Sequence, residues 1–215
     1  AHEYIVPMGI DPKKIVWIPN GVDLEDFPRP EEKAVGDEFT LMYFGAHGSA
    51  NGLDNVLRAQ KIIEADPEMS HVKLRIIGNG PCKVDLLNLS SELGLTRVSF
   101  EDPVPKRQIP ALAAQADAFV FNLINAPVFK YGISSNKLFD FMAGQRPVLF
   151  CCDAGNNPIE DSGAGYTVEP GNPKALADAI VRVSRLSSTE RVKMGRAGRH
   201  YVEIEHGFDK LARNL

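Results

Sequence analysis

The sequence predicts an α/β fold, a doubly wound parallel sheet of the Rossmann-like kind, on three observations. Strand-length apolar runs alternate with helix-length amphipathic ones between residues 39 and 205, the pattern of parallel strands joined by crossover helices. The run VLFCC (Val148–Cys152) is continuously apolar, as a strand covered on both faces must be. Short glycine-rich stretches follow the predicted strands at Gly45–Gly52 and Gly78–Gly80, at the carboxyl ends where sheets of this kind take their ligands.

The elements follow in order. Residues 1–9 read as the end of a helix closed by Gly9, and Lys14–Ile18 as a short apolar strand stopped by Pro19-Asn20-Gly21. Residues 23–38 are rich in Pro, Gly and charge and read as a linker. Phe39–Phe44 is a strand, and Leu53–Ala65 a helix with apolar positions at Leu53, Val56 and Leu57. Val72–Ile77 is a strand, Cys82–Leu93 a helix ended by Gly94, and Val98–Phe100 a strand. Lys106–Gln115 is a short helix with Pro110 in its first turn. Strand Ala118–Asn122, helix Asn136–Ala143, strand Pro147–Cys151 and strand Tyr166–Val168 follow. Helices Pro173–Leu186 and Thr189–Glu205 and the start of another at Phe208–Leu215 complete the chain.

Bulk properties narrow the function. The 215 residues carry 44% apolar and 24% charged side chains and a net charge of −4, an ordinary globular composition with no basic surplus for nucleic acid. No apolar run is long enough to span a bilayer. Three cysteines, Cys82, Cys151 and Cys152, have neither disulfide-framework nor zinc spacing, which leads us to expect reduced thiols in a cytoplasmic protein. The amino terminus lacks a signal-peptide shape and begins as though inside an element already under way, so a piece of a longer protein is expected.

Four loops could carry chemistry. GAHGSANG (Gly45–Gly52) has glycines three and four apart, which suits close approach to a ligand but matches neither the dinucleotide fingerprint nor a Walker loop. As a plain connector it would need only a Ser49 or Asn51 cap. His47 within it is most simply a packing or surface residue, raised to a candidate by its place after a strand. Gly78-Asn79-Gly80-Pro81 is a weak Gly-x-Gly, with Lys83 where a third glycine would stand. In EDPVP (Glu101–Pro105) two prolines fix an extended backbone that could face a flat base.

The fourth loop, YGISSNKLFD (Tyr131–Asp140), is the most informative. Its Gly-Ser turn opens a helix, so amides without partners and the positive end of the helix dipole make a seat for phosphate. Asp140 falls on the same face as Asn136, placed to grip sugar hydroxyls. A purely structural reading has Ser134 or Ser135 cap the helix and Asp140 complement its dipole, each worth on the order of 1 kcal/mol. Lys137 argues against it: a cation in the first turn opposes the dipole unless an anion is bound.

Taken together these segments resemble the carboxyl-terminal domain of a GT-B glycosyltransferase of the large retaining family numbered four. The pieces run in that family's order: IPNGVD (Ile18–Asp23), YFG (Tyr43–Gly45) with GLDNVL (Gly52–Leu57), IIGNGP (Ile76–Pro81), VSF (Val98–Phe100), Ala116-Asp117, FMA (Phe141–Ala143) with Pro147-Val148, and GAG (Gly163–Gly165). The glycine loop and SNKLFD (Ser135–Asp140) are most similar to bacterial enzymes that add N-acetylamino sugars to surface polysaccharides, of the fucosamine-transferase type. The resemblance implies one half of a GT-B fold. Residues 1–22 would end an amino-terminal domain and its linker, 23–205 would bind the nucleotide sugar, and 206–215 would cross back toward the other domain.

It also implies roles. Asp140 would bind the ribose hydroxyls. The helix start at Ile133, Ser134, Ser135, Asn136 and Lys137 would hold the diphosphate. Gly45, His47 and Gly48 would lie beside the phosphates and sugar, Asn79 nearby, and Val104 and Pro105 near the base. The donor would be a nucleotide diphosphate sugar, UDP-linked by the resemblance, with no cofactor and no metal. The acceptor would be a glycan or a lipid-linked glycan, and the full-length enzyme would work in the cytoplasm or on the inner face of the membrane. No catalytic residue is assigned; Lys137 and His47 are the candidates. The sequence departs from the family where Gly132 replaces its first glutamate, Ala46 or His47 its arginine and Asn51 its lysine, which leaves Lys137 or Lys130 to balance the diphosphate. Alternatives are a UDP-sugar epimerase of the same fold, a nicotinamide-binding domain, disfavoured by the missing fingerprint, and a non-catalytic nucleotide-binding module.

Overall fold

The structure, a computed structural model, describes residues 2–28 and 38–213. Its strands are β1 (Phe39–Phe44), β2 (Val72–Ile77), β3 (Val98–Glu101), β4 (Ala118–Asn122), β5 (Val148–Cys151) and β6 (Gly165–Val168). They form one sheet in the order β3-β2-β1-β4-β5-β6, and every neighbouring pair is parallel. Phe39 pairs with Val72 and Phe44 with Ile77 across β1 and β2, so their carboxyl ends are level.

The helices are α1 (His2–Ile5), α2 (Leu53–Glu64), α3 (Lys83–Glu92), α4 (Ile109–Ala113), α5 (Asn136–Ala143), α6 (Pro158–Ser162), α7 (Pro173–Ser184), α8 (Ser188–Glu205) and α9 (Phe208–Arg213). Strand order runs one way from β1 and the other way from β4, so right-handed crossovers put the two sets of helices on opposite faces. α2 packs with α3 and α7, while α5 and α6 pack with α8. β1, β4 and β5 are buried along their whole length, which is why their sequences do not alternate. Phe44 of β1, Phe119 of β4 and Phe141 of α5 form an aromatic cluster with ring centroids 4.6–5.7 Å apart. That cluster fixes α5 against the point where the strand order reverses.

The core elements form where the alternation places them, with ends moved by one or two residues, except that the helix expected over Lys106–Gln115 is α-helical only from Ile109 to Ala113, after a 3₁₀ turn at Lys106–Gln108. Lys14–Ile18 is a correction: among the described residues no strand forms there. Val16, Trp17 and Ile18 are exposed, Val16 to 70%. An apolar run becomes a strand only beside a partner that takes up its backbone groups, and the run finds none. Helix α6 was not foreseen; Pro158 opens it and Asn157 caps it through the Glu160 amide. Most of the expected linker, residues 29–37, lies outside the described residues, as do the last two residues of the expected final helix. Cys82, Cys151 and Cys152 are free thiols, and burial pushes the Cys152 thiol up to about 11. Among the described residues no helix is long and apolar enough to cross a membrane.

Candidate functional site

The loops after β1, β2 and β3 and one face of α5 enclose a cavity of about 390 Å³ at the carboxyl ends of the strands. Phe44, Gly45 and Ala46 enter from the first loop, Ile77, Gly78 and Asn79 from the second, and Pro103, Val104, Lys106 and Ile109 from the third. Lys137 and Asp140 close it from α5. Gly78 has φ +140°, and a Cβ there would lie 2.0 Å from the Gly45 carbonyl oxygen. The two loops can approach this closely only because Gly78 has no side chain.

His47 corrects an expectation. Its side chain is fully buried and lines no part of this cavity. Its backbone ties the first two loops together: its amide donates to the Asn79 carbonyl at 2.9 Å, and its carbonyl accepts from the Cys82 amide at 2.9 Å. Neither ring nitrogen reaches a hydrogen-bond partner. Burial, then Lys83 and Lys137, hold its pKa below the usual value, while the nearby Ile77 carbonyl opposes them without reaching hydrogen-bond geometry. The enclosed imidazole lies against the second loop, away from the cavity.

The first turn of α5 carries most of the site's polarity. Ser135 stands at the N-cap in extended conformation, and its side chain caps nothing. The Leu138 and Phe139 amides turn back to the Ser135 carbonyl at 3.1 and 3.4 Å. The Ile133 amide donates to Asn156 Oδ1 at 2.7 Å, and Asn156 Nδ2 donates to the Ile133 carbonyl at 3.0 Å. Ile133 is therefore withdrawn from the expected phosphate seat; its backbone is saturated by an amide side chain. The amides of Ser134, Ser135, Asn136 and Lys137 have no partner among the described residues. The turn lies between two cavities. Ile133 and Ser134 line the second, of about 880 Å³, with Tyr4, Trp17, Lys130 and Tyr131.

Lys137 turns inward beneath the first loop. Its ammonium donates to the Tyr43 hydroxyl at 3.0 Å and to Asn51 Oδ1 at 2.5 Å, and lies 4.6 Å from the centre of the Tyr43 ring and 5.3 Å from that of Phe121. Tyr43 and Asn51 in turn donate to the Ala46 carbonyl at 2.7 and 2.9 Å. No carboxylate pairs with Lys137 among the described residues, and burial brings its pKa down to about 8. Asp140, one turn on, has a carboxylate with no hydrogen-bond or ion-pair partner among the described residues. Burial pushes its pKa up to about 6, with Lys106 opposing. One short helix thus brings a cation and an acid, neither in an ion pair among the described residues, to the same cavity.

Of the residues expected from sequence, the structure brings Gly45, Asn79, Val104, Lys137 and Asp140 together in the smaller cavity and sets Ile133 and Ser134 on the larger. Gly48, Pro105, Ser135 and Asn136 line neither. Sequence reasoning did not reach Lys106, Ile109 or Asn156. Lys106 and Ile109 open a helix whose start was read only for its proline. Asn156 acts across 23 residues, and a lone Gly-Asn-Asn carries no signal for that. Among the described residues no group of three or more His, Cys, Asp or Glu side chains could hold a metal ion.

Comparison with known proteins follows the same geometry. A model of the family described as Glycosyl transferases group 1 matches residues 38–185. Sucrose-phosphate synthase from Thermosynechococcus elongatus superposes with a TM-score of 0.76 at 20% identity, over 91% of this chain and 49% of that one. TarM from S. aureus, solved with fondaparinux, alpha-GlcNAc-glycerol and UDP, gives 0.77 at 17% identity, over 98% of this chain and 40% of that one. The carboxyl-terminal domain of the group 1 protein LpcC from Francisella tularensis gives 0.66 at 18% identity, over 87% of this chain and 99% of that domain. At these identities the likeness is one of fold. The chain spans about half the length of the synthase. No curated protein matches it significantly.

Proposed function

The chain belongs to the group 1 glycosyl transferases, and from that premise we propose that it is the donor-binding half of a two-domain retaining transferase that uses a UDP-linked N-acetylamino sugar. The finer kinship we propose is with family-4 enzymes of the fucosamine-transferase type. One observation carries the donor-site reading: Lys137 and Asp140, neither in an ion pair among the described residues, line one cavity beside the start of α5, whose amides from Ser134 to Lys137 have no partner among those residues. A buried cation without a carboxylate is costly, and a diphosphate is the anion that would relieve it. The ribose hydroxyls would donate to Asp140, the base would lie against Val104 with Pro105 behind it, and Gly45 would let the phosphates approach the loop backbone. UDP in the TarM structure supports the choice of base.

In this reading, α5 and Lys137 stabilise the negative charge that grows on the departing diphosphate as the sugar takes on oxocarbenium character. They act as fixed dipoles and a fixed cation, so little reorganisation is needed when the bond breaks. The sugar would extend past Ser134 toward the larger cavity, where a glycan or lipid-linked acceptor supplied with the amino-terminal domain would meet it. Residues 1–22 would belong with that domain and its linker, 206–215 would cross toward it, and the whole enzyme would be cytoplasmic or bound to the inner membrane face. Donor binding would need no cofactor. The chain alone is expected to bind donor weakly and to transfer nothing.

Calorimetry of this chain with UDP, GDP, ADP and dTDP tests the reading. Binding of UDP at up to millimolar concentration, ahead of the other three, is the expected result. Absence of heat with all four overturns it.

A further inference from the structure

We propose that Asn20 is a positioning residue for the diphosphate seat, acting through Ser134 and held in place by His206. The proposal deepens the donor-site reading above and rests on it. Asn20 lies 114 residues before Ser134 and grips it twice: its backbone amide donates to Ser134 Oγ at 2.6 Å, and its side-chain Nδ2 donates to the Ser134 carbonyl at 2.6 Å. The Asn20 carbonyl accepts from His206 Nδ1 at 3.1 Å, which requires the Nδ1–H tautomer. The His206 carbonyl accepts from the Val22 amide at 2.9 Å, and its ring stacks on Phe139 of α5 with centroids 3.8 Å apart. The segment around Asn20, the end of α8 and the body of α5 thereby form a closed circuit around one turn of backbone.

The chemistry of the grip matters as much as its presence. Asn156 and Asn20 hold neighbouring residues in different ways. Asn156 takes both the donor and the acceptor of the Ile133 backbone and leaves it nothing to offer. Asn20 gives Ser134 two protons and takes none. Ser134 keeps its amide and its hydroxyl proton while its carbonyl and Oγ are occupied. It therefore meets an anion as a donor, which is what a phosphate needs from a backbone turn. Without the Asn20 side chain, the Ser134 carbonyl becomes a free acceptor beside the phosphates, and the turn loses a constraint that pre-sets its amides. Glycine is required next to this grip, because a Cβ on Gly21 would lie 2.5 Å from the His206 carbonyl oxygen.

The test is Asn20→Ala in this chain, titrated with UDP and with UMP by ligand-observed NMR. Ser134 would touch the phosphate nearer the sugar, so Asn20→Ala should weaken UDP about tenfold and leave UMP within twofold. Ser134→Ala added to Asn20→Ala should cost much less than it does alone. In the ligand-free chain, exchange of the Gly132 and Ile133 amides, which donate to Phe129 and Asn156, should quicken in Asn20→Ala while the sheet is unchanged. UDP and UMP falling in parallel would mean a merely structural role and overturn the proposal, as would unchanged exchange at Gly132 and Ile133. A wild-type chain that binds UDP and an Asn20→Ala chain that binds it equally well overturn this proposal alone. A wild-type chain that binds no UDP overturns the donor-site reading and this proposal with it.

Discussion

Replacing Lys137 with methionine should make the protein a much poorer binder of UDP at little or no cost in stability. Methionine keeps the length of the side chain and removes the charge. Bringing a lysine pKa from 10.5 to about 8 by burial corresponds to roughly 3 kcal/mol of preference for the neutral form. That penalty is offset by the hydrogen bonds to Tyr43 and Asn51 and by the two ring contacts, each worth on the order of 1 kcal/mol. The two sides cancel to within about 1 kcal/mol, so Tm should move by no more than roughly 2–4 °C in a chain of this size. The sign with pH is fixed too. The folded pKa lies below the unfolded one, so the unfolded chain holds more protons between about 8 and 10.5. Wild-type stability therefore rises relative to Lys137→Met through that window, and the penalty is complete below pH 8. Loss of a charge-assisted contact to phosphate should weaken UDP by about 10- to 100-fold, and Lys137→Arg should retain part of the affinity. Thermal denaturation from pH 7 to 10.5 and UDP titration are the assays. A lower Tm with unchanged UDP affinity would show that the lysine is structural and refute the argument.

Asp140→Ala should weaken UDP by at least about tenfold, the cost of a charged hydrogen bond, without lowering stability at pH 7; an unchanged dissociation constant counts against the ribose role. Because the folded pKa of Asp140 is raised from 3.8 to about 6, the folded chain holds the extra proton in that window. Wild-type stability should fall relative to Asp140→Ala as pH rises from about 4 to 6, by roughly 3 kcal/mol at most, as urea denaturation across that range would show. Gly78→Ala puts a Cβ 2.0 Å from the Gly45 carbonyl oxygen at φ +140°, and should destabilise by about 3 kcal/mol or more; a thermal scan matching wild type would mean the two loops do not touch.

The sheet was legible because its strands are buried on both faces, and FTLMYF or VLFC can be little else between glycine-bounded helices. Lys14–Ile18 read the same way and failed, because strand formation depends on a neighbour that sequence spacing does not reveal. At the site, the polar start of α5 was legible through a local anomaly, a lysine against the helix dipole. His47 was not, because the direction in which a loop histidine packs depends on Gly78 and Gly80, which let the second loop close over it. Asn20 was noticed as part of a linker, yet its partner lies 114 residues away. Side-chain amides that pair with distant backbone leave no periodicity to read.

The departures from the family's pattern have a common physical consequence. Asn51, where the resemblance leads one to expect a lysine, supplies an oxygen to the Lys137 ammonium, so in the proposed donor site the cation would come from a helix rather than a loop. One buried cation could not balance a diphosphate by itself, and in the proposed site the remaining compensation would fall to the amides of Ser134–Lys137 and the dipole behind them. Amides act only through direction: a turn that wanders loses their contribution, whereas a flexible lysine could follow the phosphate. A site that exchanges mobile charge for fixed dipoles must therefore hold its backbone harder. The asparagines on either side of Ile133 and Ser134, one reaching from residue 156 and one from residue 20, would be the means by which the proposed site does so.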